Sequence, residues 1–354
     1  MQVAPIHTWA WLIWLATALA ALTLTRNPYY LMLVWGAAIF TSLALRKRVG
    51  GAVIPVSPLK LTAFVVLLGA LFNGVTSHFG ASVLFTIPGR LPYLSGDVTL
   101  EAFLFGALNG LVLAGMFVVF SVLTQALPVR TLISLIPGAF YPLAVVTSIA
   151  VTFIPSTLRQ FEQIREAQAI RGHQVRGLRD WLPLLLPLLT GGLERALQLA
   201  EAITARGFAS QNETQNDERY RWLLLGGLLL LFAGAMTRFS QAYRSAGLAL
   251  MFSGTLLTLG ALWAVGRRAP RSQHRREGWT SASTLTVLGA ALASAALLLP
   301  IPGLQRAGLT YSPYPAFLWP PFDAAIALGL LGLGAPAVIV AALPPVQEES
   351  HYPL

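Results

Sequence analysis

The sequence predicts an all-α, polytopic membrane protein of about eight transmembrane helices, with a cytosolic helical segment between the fourth and fifth spans. Three observations predict it. The 354 residues are 55% hydrophobic and only 11% charged, whereas soluble chains carry roughly 25% charged residues. The apolar residues gather in runs near the ~20 residues that cross ~30 Å of hydrocarbon as helix. The charged residues gather in one long central stretch and a few short clusters. Within lipid, runs of this kind satisfy their backbone polar groups only as helices.

The first run is Thr8–Thr25, closed by Arg26-Asn27-Pro28. It is read as a retained span, because it lacks the basic leader and small-residue cleavage site of a signal peptide. The second run, Tyr29–Leu45, is closed by Arg46-Lys47-Arg48 and two glycines. The third is Leu59–Val75, followed by a polar, Gly/Pro-marked stretch from Thr76 to Asp97. The fourth is Ala102–Leu127, closed by Pro128 and Arg130. Apolar runs return at Trp222–Ala235, Ala246–Val265, Ser281–Leu299 and Phe322–Leu343. Ser210–Glu218 reads as a polar connector and Gln347–Leu354 as a short polar tail. Three regions follow: 1–127 with four spans, 128–218 with the interfacial and coupling helices, and 219–354 with the C-terminal spans.

Leu132–Ile154 is apolar enough to span but is interrupted by Pro137 and Pro142 and followed by Pro155. Charge decides its reading, since cytosolic loops carry excess Lys and Arg. With Arg46-Lys47-Arg48 inside and this run not crossing, 19 of the 24 cationic residues fall inside. The five outside are Arg26, Arg90, Arg238, Arg244 and Arg306. If the run crossed, Arg159 to Arg206 would face the exterior. It is therefore read as an interfacial or partly inserted helix, with both termini of the chain inside. The net charge of +10 follows the membrane rather than nucleic acid.

The central stretch Leu158–Gly207 carries seven Arg and five acidic residues. It holds two similar segments, Leu158–Gly172 and Leu193–Gly207, rich in good helix formers. Each ends in Arg-Gly: Ile170-Arg171-Gly172 and Ala205-Arg206-Gly207. A glycine just past a helix suits the left-handed cap, and a cation in the last turn suits the helix dipole. Leu158, Phe161, Ile164, Ala167 and Ile170 recur at helical spacing, as do Leu193, Ala196/Leu197, Ala200 and Ile203/Thr204, so each segment is amphipathic. Glu162, Glu166, Glu194 and Glu201 read as solvated faces. Between the segments, the apolar, Pro-broken Trp181–Leu189 is either an interfacial tether or part of the second helix.

This pair resembles the coupling region of the T component of energy-coupling factor (ECF) transporters, the CbiQ/EcfT family, whose two cytosolic helices each end in an Ala-Arg-Gly-type motif. The first motif here departs by Ile170 for Ala. Thr25-Arg26-Asn27-Pro28, Val98–Ala102 with Phe105-Gly106, and Phe153-Ile154-Pro155 also resemble the family, though Thr152 stands where the family usually has Arg. The resemblance covers about residues 8–240, leaving the spans of 281–343 outside it. It implies a scaffold that binds two cytosolic ABC-type ATPases and a membrane-embedded substrate-binding subunit for a vitamin or metal ion. The implied ATPase-binding residues are Ile170, Arg171, Gly172, Ala205, Arg206 and Gly207. Gly106, Gly110 and Gly115, small residues on the fourth span where helices can approach closely, are the expected surface for the substrate subunit.

No catalytic residue, metal site or cofactor is expected. Cysteine is absent and the five histidines are scattered. There is no phosphate-binding loop, His-Glu-x-x-His helix or Gly-x-Ser-x-Gly turn. Asp97, Glu101 and Asp323 fall at span ends, where interfacial roles are ordinary. The competing reading, a self-contained secondary transporter or channel, calls for midplane acids or an inverted repeat, and neither is evident.

Overall fold

The structure is a computed structural model. It describes residues 6–49, 57–88, 96–135, 140–172, 177–206, 216–238, 244–268, 278–299, 306–315 and 317–342. Gly207 and the C-terminal tail lie outside these residues. The chain forms two compact units, residues 1–128 with 275–354, and residues 129–274.

The first unit holds α1 (Thr8–Leu24), α2 (Pro28–Val49), α3 (Pro58–Thr76), a hairpin of β1 (Val83–Ile87) and β2 (Gly96–Thr99), and α4 (Leu100–Ala126). It is completed by α10 (Ser281–Leu298), α11 (Ala324–Leu331) and α12 (Ala335–Ala342). The second unit holds α5 (Val129–Ser134), α6 (Tyr141–Ile170), α7 (Leu182–Ala205), α8 (Asn216–Arg238) and α9 (Arg244–Arg268). Thr99 caps α4, Thr280 caps α10 and Asp323 caps α11, each side-chain oxygen accepting a first-turn N–H.

Eight helical segments are long and apolar enough to cross a membrane by length and composition. This bears out the all-α polytopic fold, with a different membership from the one the sequence suggested. The 17-residue α1 is one of the shorter apolar helices, while Leu143–Ile170 is among the eight. The Pro-marked run is not broken beyond Tyr141. Pro142 sits in the first turn of α6, where its missing N–H costs nothing. Pro155 is absorbed inside the helix, so the run continues without a break into the first charged segment. Trp181–Leu189 likewise joins the second charged segment: α7 starts at Leu182 and carries Pro187 internally. The polar loop after α3 contains the antiparallel hairpin, paired Val83↔Thr99 to Ile87↔Gly96. The last apolar run is two short helices joined by a 3-10 turn at Gly332–Gly334.

The helices that the sequence left without a role close the core of the first unit. Trp11 and Trp14 on α1 are fully buried. The Trp14 indole donates to the Leu333 carbonyl at 2.8 Å, and Thr17 pairs with Ser294 on α10 at 3.1 Å. The α1–α2 turn grips the C-terminal segment. The Arg26 backbone N–H donates to the Leu309 carbonyl at 2.8 Å, and the buried Asn27 amide donates to the carbonyls of Gly308 at 2.8 Å and Pro321 at 2.7 Å. In the second unit α8 and α9 pack closely through glycines. A Cβ at Gly254 would stand 2.8 Å from the Leu231 backbone, and one at Gly247 would stand 3.0 Å from the Arg238 backbone.

Candidate coupling site

Helix α6 ends at Ile170. Arg171 caps it, and Gly172 follows with φ +80°, its N–H returning to the Ala169 carbonyl at 2.9 Å. This is the left-handed stop that a residue with a Cβ adopts only under strain. Arg206 caps α7, its N–H reaching the Ala202 carbonyl at 3.3 Å. Ile170, Arg171, Gly172, Ala205 and Arg206 are all exposed. Among the described residues, neither guanidinium has a hydrogen-bond or ion-pair partner. Each stands at the negative end of a helix dipole and presents its planar fork to solvent, suited to a carboxylate.

The two helices touch near their middles. The Arg195 guanidinium on α7 donates to the Gln160 side-chain oxygen at 2.7 Å and to the Ser156 hydroxyl at 3.3 Å, both on α6. Gly191 faces the Gln160 amide so closely that a Cβ there would collide with it. Phe161 stacks on Trp181, ring centroids 6.2 Å apart and planes at 12°. The partners descend along α6 (161, 160, 156) as they ascend α7 (181, 191, 195), so the helices run in opposite senses where they meet. Their C-terminal ends therefore project to opposite sides of the contact. Arg171 lies 11 residues beyond Gln160 and Arg206 lies 11 beyond Arg195, so each arm extends about 16 Å at 1.5 Å per residue.

The inward face of α7 differs from the expected one. Leu193 and Leu197 are 63% and 57% exposed. The inner stripe is Leu188, Gly191, Arg195, Leu199 and Ile203. On α6, Phe161 and Ile164 turn inward as expected, but Leu158, Ala167 and Ile170 do not. Ser156, Gln160 and Arg195 were not singled out from the sequence. The available signal was phase: Arg195 falls four residues from both Gly191 and Leu199, on their stripe. Glu162, Glu166, Glu194 and Glu201 are exposed.

Gly106, Gly110 and Gly115 are not a free surface. A Cβ at Gly106 would stand 2.6 Å from Asn73 Cβ on α3, one at Gly110 would stand 2.8 Å from Val66 Cα, and one at Gly115 would stand 2.9 Å from the Leu22 side chain on α1. These residues are spent on packing within the chain, the ordinary use of small residues between membrane helices.

The acids at span ends are structural. Glu101 is fully buried and its carboxylate accepts the Ser82 N–H at 3.1 and 3.2 Å. Asp97 accepts from the Thr86 hydroxyl at 2.7 Å, and Asp323 accepts the Ala325 N–H at 2.9 Å. Among the described residues no group of three or more His, Cys, Asp or Glu side chains could hold a metal ion.

A family model described as CbiQ, cobalt transport protein, matches residues 5–216. The chain belongs to the CbiQ family. The match takes in both Arg-Gly helix ends and stops at the first residue of α8. Among similar proteins, an energy-coupling factor transporter transmembrane protein EcfT of Bacillus selenitireducens is 33% identical over 106 residues, 27% of this chain and 40% of that protein. The EcfT of Leuconostoc gelidum is 29% identical over 168 residues, 42% of this chain and 57% of that protein. The EcfT of Limosilactobacillus fermentum is 26% identical over 215 residues, 55% of this chain and 79% of that protein. The chain thus spans less than two thirds of the length of the first two. With the eight candidate spans, family membership makes this CbiQ-family chain a multi-pass membrane protein.

Proposed function

We propose that this CbiQ-family chain is the transmembrane coupling subunit of an ECF-type importer. It passes ATP-driven motion of two cytosolic ABC-type ATPases to a separate membrane-embedded subunit that binds a vitamin or a metal ion. The observation that carries the reading is the pair of exposed guanidiniums, Arg171 and Arg206, unpartnered among the described residues, at the opposed ends of two helices that touch at their middles. Two equal arms projecting to two sides suit two copies of one motor. Ile170, Gly172 and Ala205 would line the same contacts, as would Gly207. A docked guanidinium transmits a rigid-body shift only if the helix behind it is stiff, and α6 runs as continuous helix from Ser156, just past Pro155, to Ile170.

In this reading the charged part of α6 beyond Pro155, α7 and both termini face the cytosol, and the apolar start of α6, though long enough to span, stays at the cytosolic interface, which places 19 of the 24 cationic residues inside. The chain is non-catalytic, and its partners hydrolyse ATP. With Gly106, Gly110 and Gly115 spent internally, the substrate-binding subunit meets other lipid-facing surfaces. Purification of the tagged chain from its native membrane, with mass spectrometry of what accompanies it, tests the proposal. Two ATPase copies and a small membrane subunit are expected. A chain that moves a solute alone in liposomes, with no ATPase bound, would refute it.

A further inference from the structure

The proposed coupling role leaves one thing unexplained. Two helices whose faces are largely exposed have to behave as one lever, and among the described residues the hydrogen bonds between them come from a single side chain. Arg195 is half-buried on the inner stripe of α7, and its two terminal nitrogens reach two acceptors one helical turn apart on α6, Ser156 and Gln160. A forked donor fixes distance and angle together, which an ammonium cannot do. The Ser156 hydroxyl donates in turn to the Phe153 carbonyl at 2.8 Å, so the acceptor is itself oriented. Gly191 leaves room for the Gln160 side chain, whose amide occupies the place a Cβ would take.

The position along α6 is informative. Ser156 directly follows Pro155, whose missing N–H deprives the Val151 carbonyl of its helical donor and weakens the helix there. Everything tied to α7 (Ser156, Gln160 and Phe161) lies on the C-terminal side of that proline. On α7 the contacts flank Pro187, with Trp181 before it and Gly191 and Arg195 after it, so α7 cannot bend there without breaking one of them.

We infer that Arg195 is a positioning residue that locks the C-terminal part of α6 (from Ser156) and α7 into one rigid two-armed body, which turns about Pro155. The arms at Arg171 and Arg206 then move together, so a displacement at one ATPase is felt at the other. This rests on the coupling function proposed above, but the rigidity itself can be measured without it.

The chain has no cysteine, so spin labels can be placed at Ala169→Cys and Ala202→Cys alone, both exposed, and their separation measured by pulsed electron spin resonance. The parent is expected to give one narrow distance distribution. Arg195→Ala is expected to broaden it about twofold or more, with Arg195→Lys in between. Ser156→Ala with Gln160→Ala removes the acceptors from the other helix and is expected to broaden it equally. In the complex with its ATPases, Arg195→Ala is expected to lower uptake per ATP about tenfold, the order expected for losing a charge-assisted contact, while leaving ATPase binding intact. A distribution as narrow in Arg195→Ala as in the parent would overturn the inference, as would broadening in Arg195→Ala that the double variant does not share. Broadening in a chain that binds no ATPase would uphold the brace and sink the coupling reading instead.

Discussion

Asn27 offers the sharpest test of how the C-terminal helices are held. It is fully buried in the α1–α2 turn. Its side-chain N–H groups donate to Gly308 and Pro321 at 2.8 and 2.7 Å, and its oxygen accepts the Tyr29 N–H at 3.0 Å. Asn27→Leu keeps the volume and removes all three bonds, leaving the Gly308 carbonyl without a partner in a buried place and the Pro321 carbonyl and Tyr29 N–H in part-buried ones. Each such group costs about 1–3 kcal/mol. Local relaxation recovers part of the sum, so a net loss of about 3 kcal/mol is expected. At about 2 °C per kcal/mol for a chain of this size, Tm falls by about 6 °C. Thermal unfolding in detergent checks the magnitude, and hydrogen exchange of residues 308–323 checks the location. Asn109→Leu is the control: it removes a bond to the exposed Arg26, worth less than about 1 kcal/mol. If Asn27→Leu shifts Tm no more than Asn109→Leu, or if exchange does not rise in 308–323, the turn does not hold that segment.

Three further outcomes are expected. Glu101→Ala strands the Ser82 N–H and lowers stability by about 2 kcal/mol, while Glu101→Gln, which keeps one acceptor, loses about half of that; comparative Tm measurements decide. Gly106→Val drives a side chain into Asn73 and the α3 backbone and costs about 1–3 kcal/mol, whereas Gly36→Ala, with nothing within 4 Å of the added Cβ, leaves Tm unchanged. A topology reporter fused at Gln211 reads cytosolic; an exterior signal would reverse the orientation assigned to α6 and α7.

Much of the helical layout was legible because a run of ~20 apolar residues has few alternatives in lipid. What misled was proline. Pro142 read as an interruption of the run and Pro155 as its end, yet one occupies a first turn and the other lies inside the helix, and sequence alone does not distinguish these uses from a break. The hairpin at 83–99 was missed because strands of four and five residues leave little alternation to read. The Arg-Gly helix ends were legible because capping is local: Gly172 has the positive φ that its position implied. The Arg195 brace, the burial of Glu101 and the Asn27 latch were not, because each joins residues distant in sequence. The inner face of α7 was assigned to Leu193 and Leu197 because hydrophobicity suggested it. In the structure the polar Arg195 takes the inner stripe and those leucines face outward, where lipid or a partner can cover them.

The central claim is that Arg171 and Arg206 each hold an ATPase. The most direct measurement is the affinity of purified ATPase for the chain carrying Arg171→Ala and Arg206→Ala, against the parent, in detergent or nanodiscs. Truncating a buried, paired arginine costs about 2–5 kcal/mol, so either single change should weaken its own contact about thirtyfold or more, and the double variant should retain neither ATPase. Full-strength binding of both ATPases by the double variant would contradict the account.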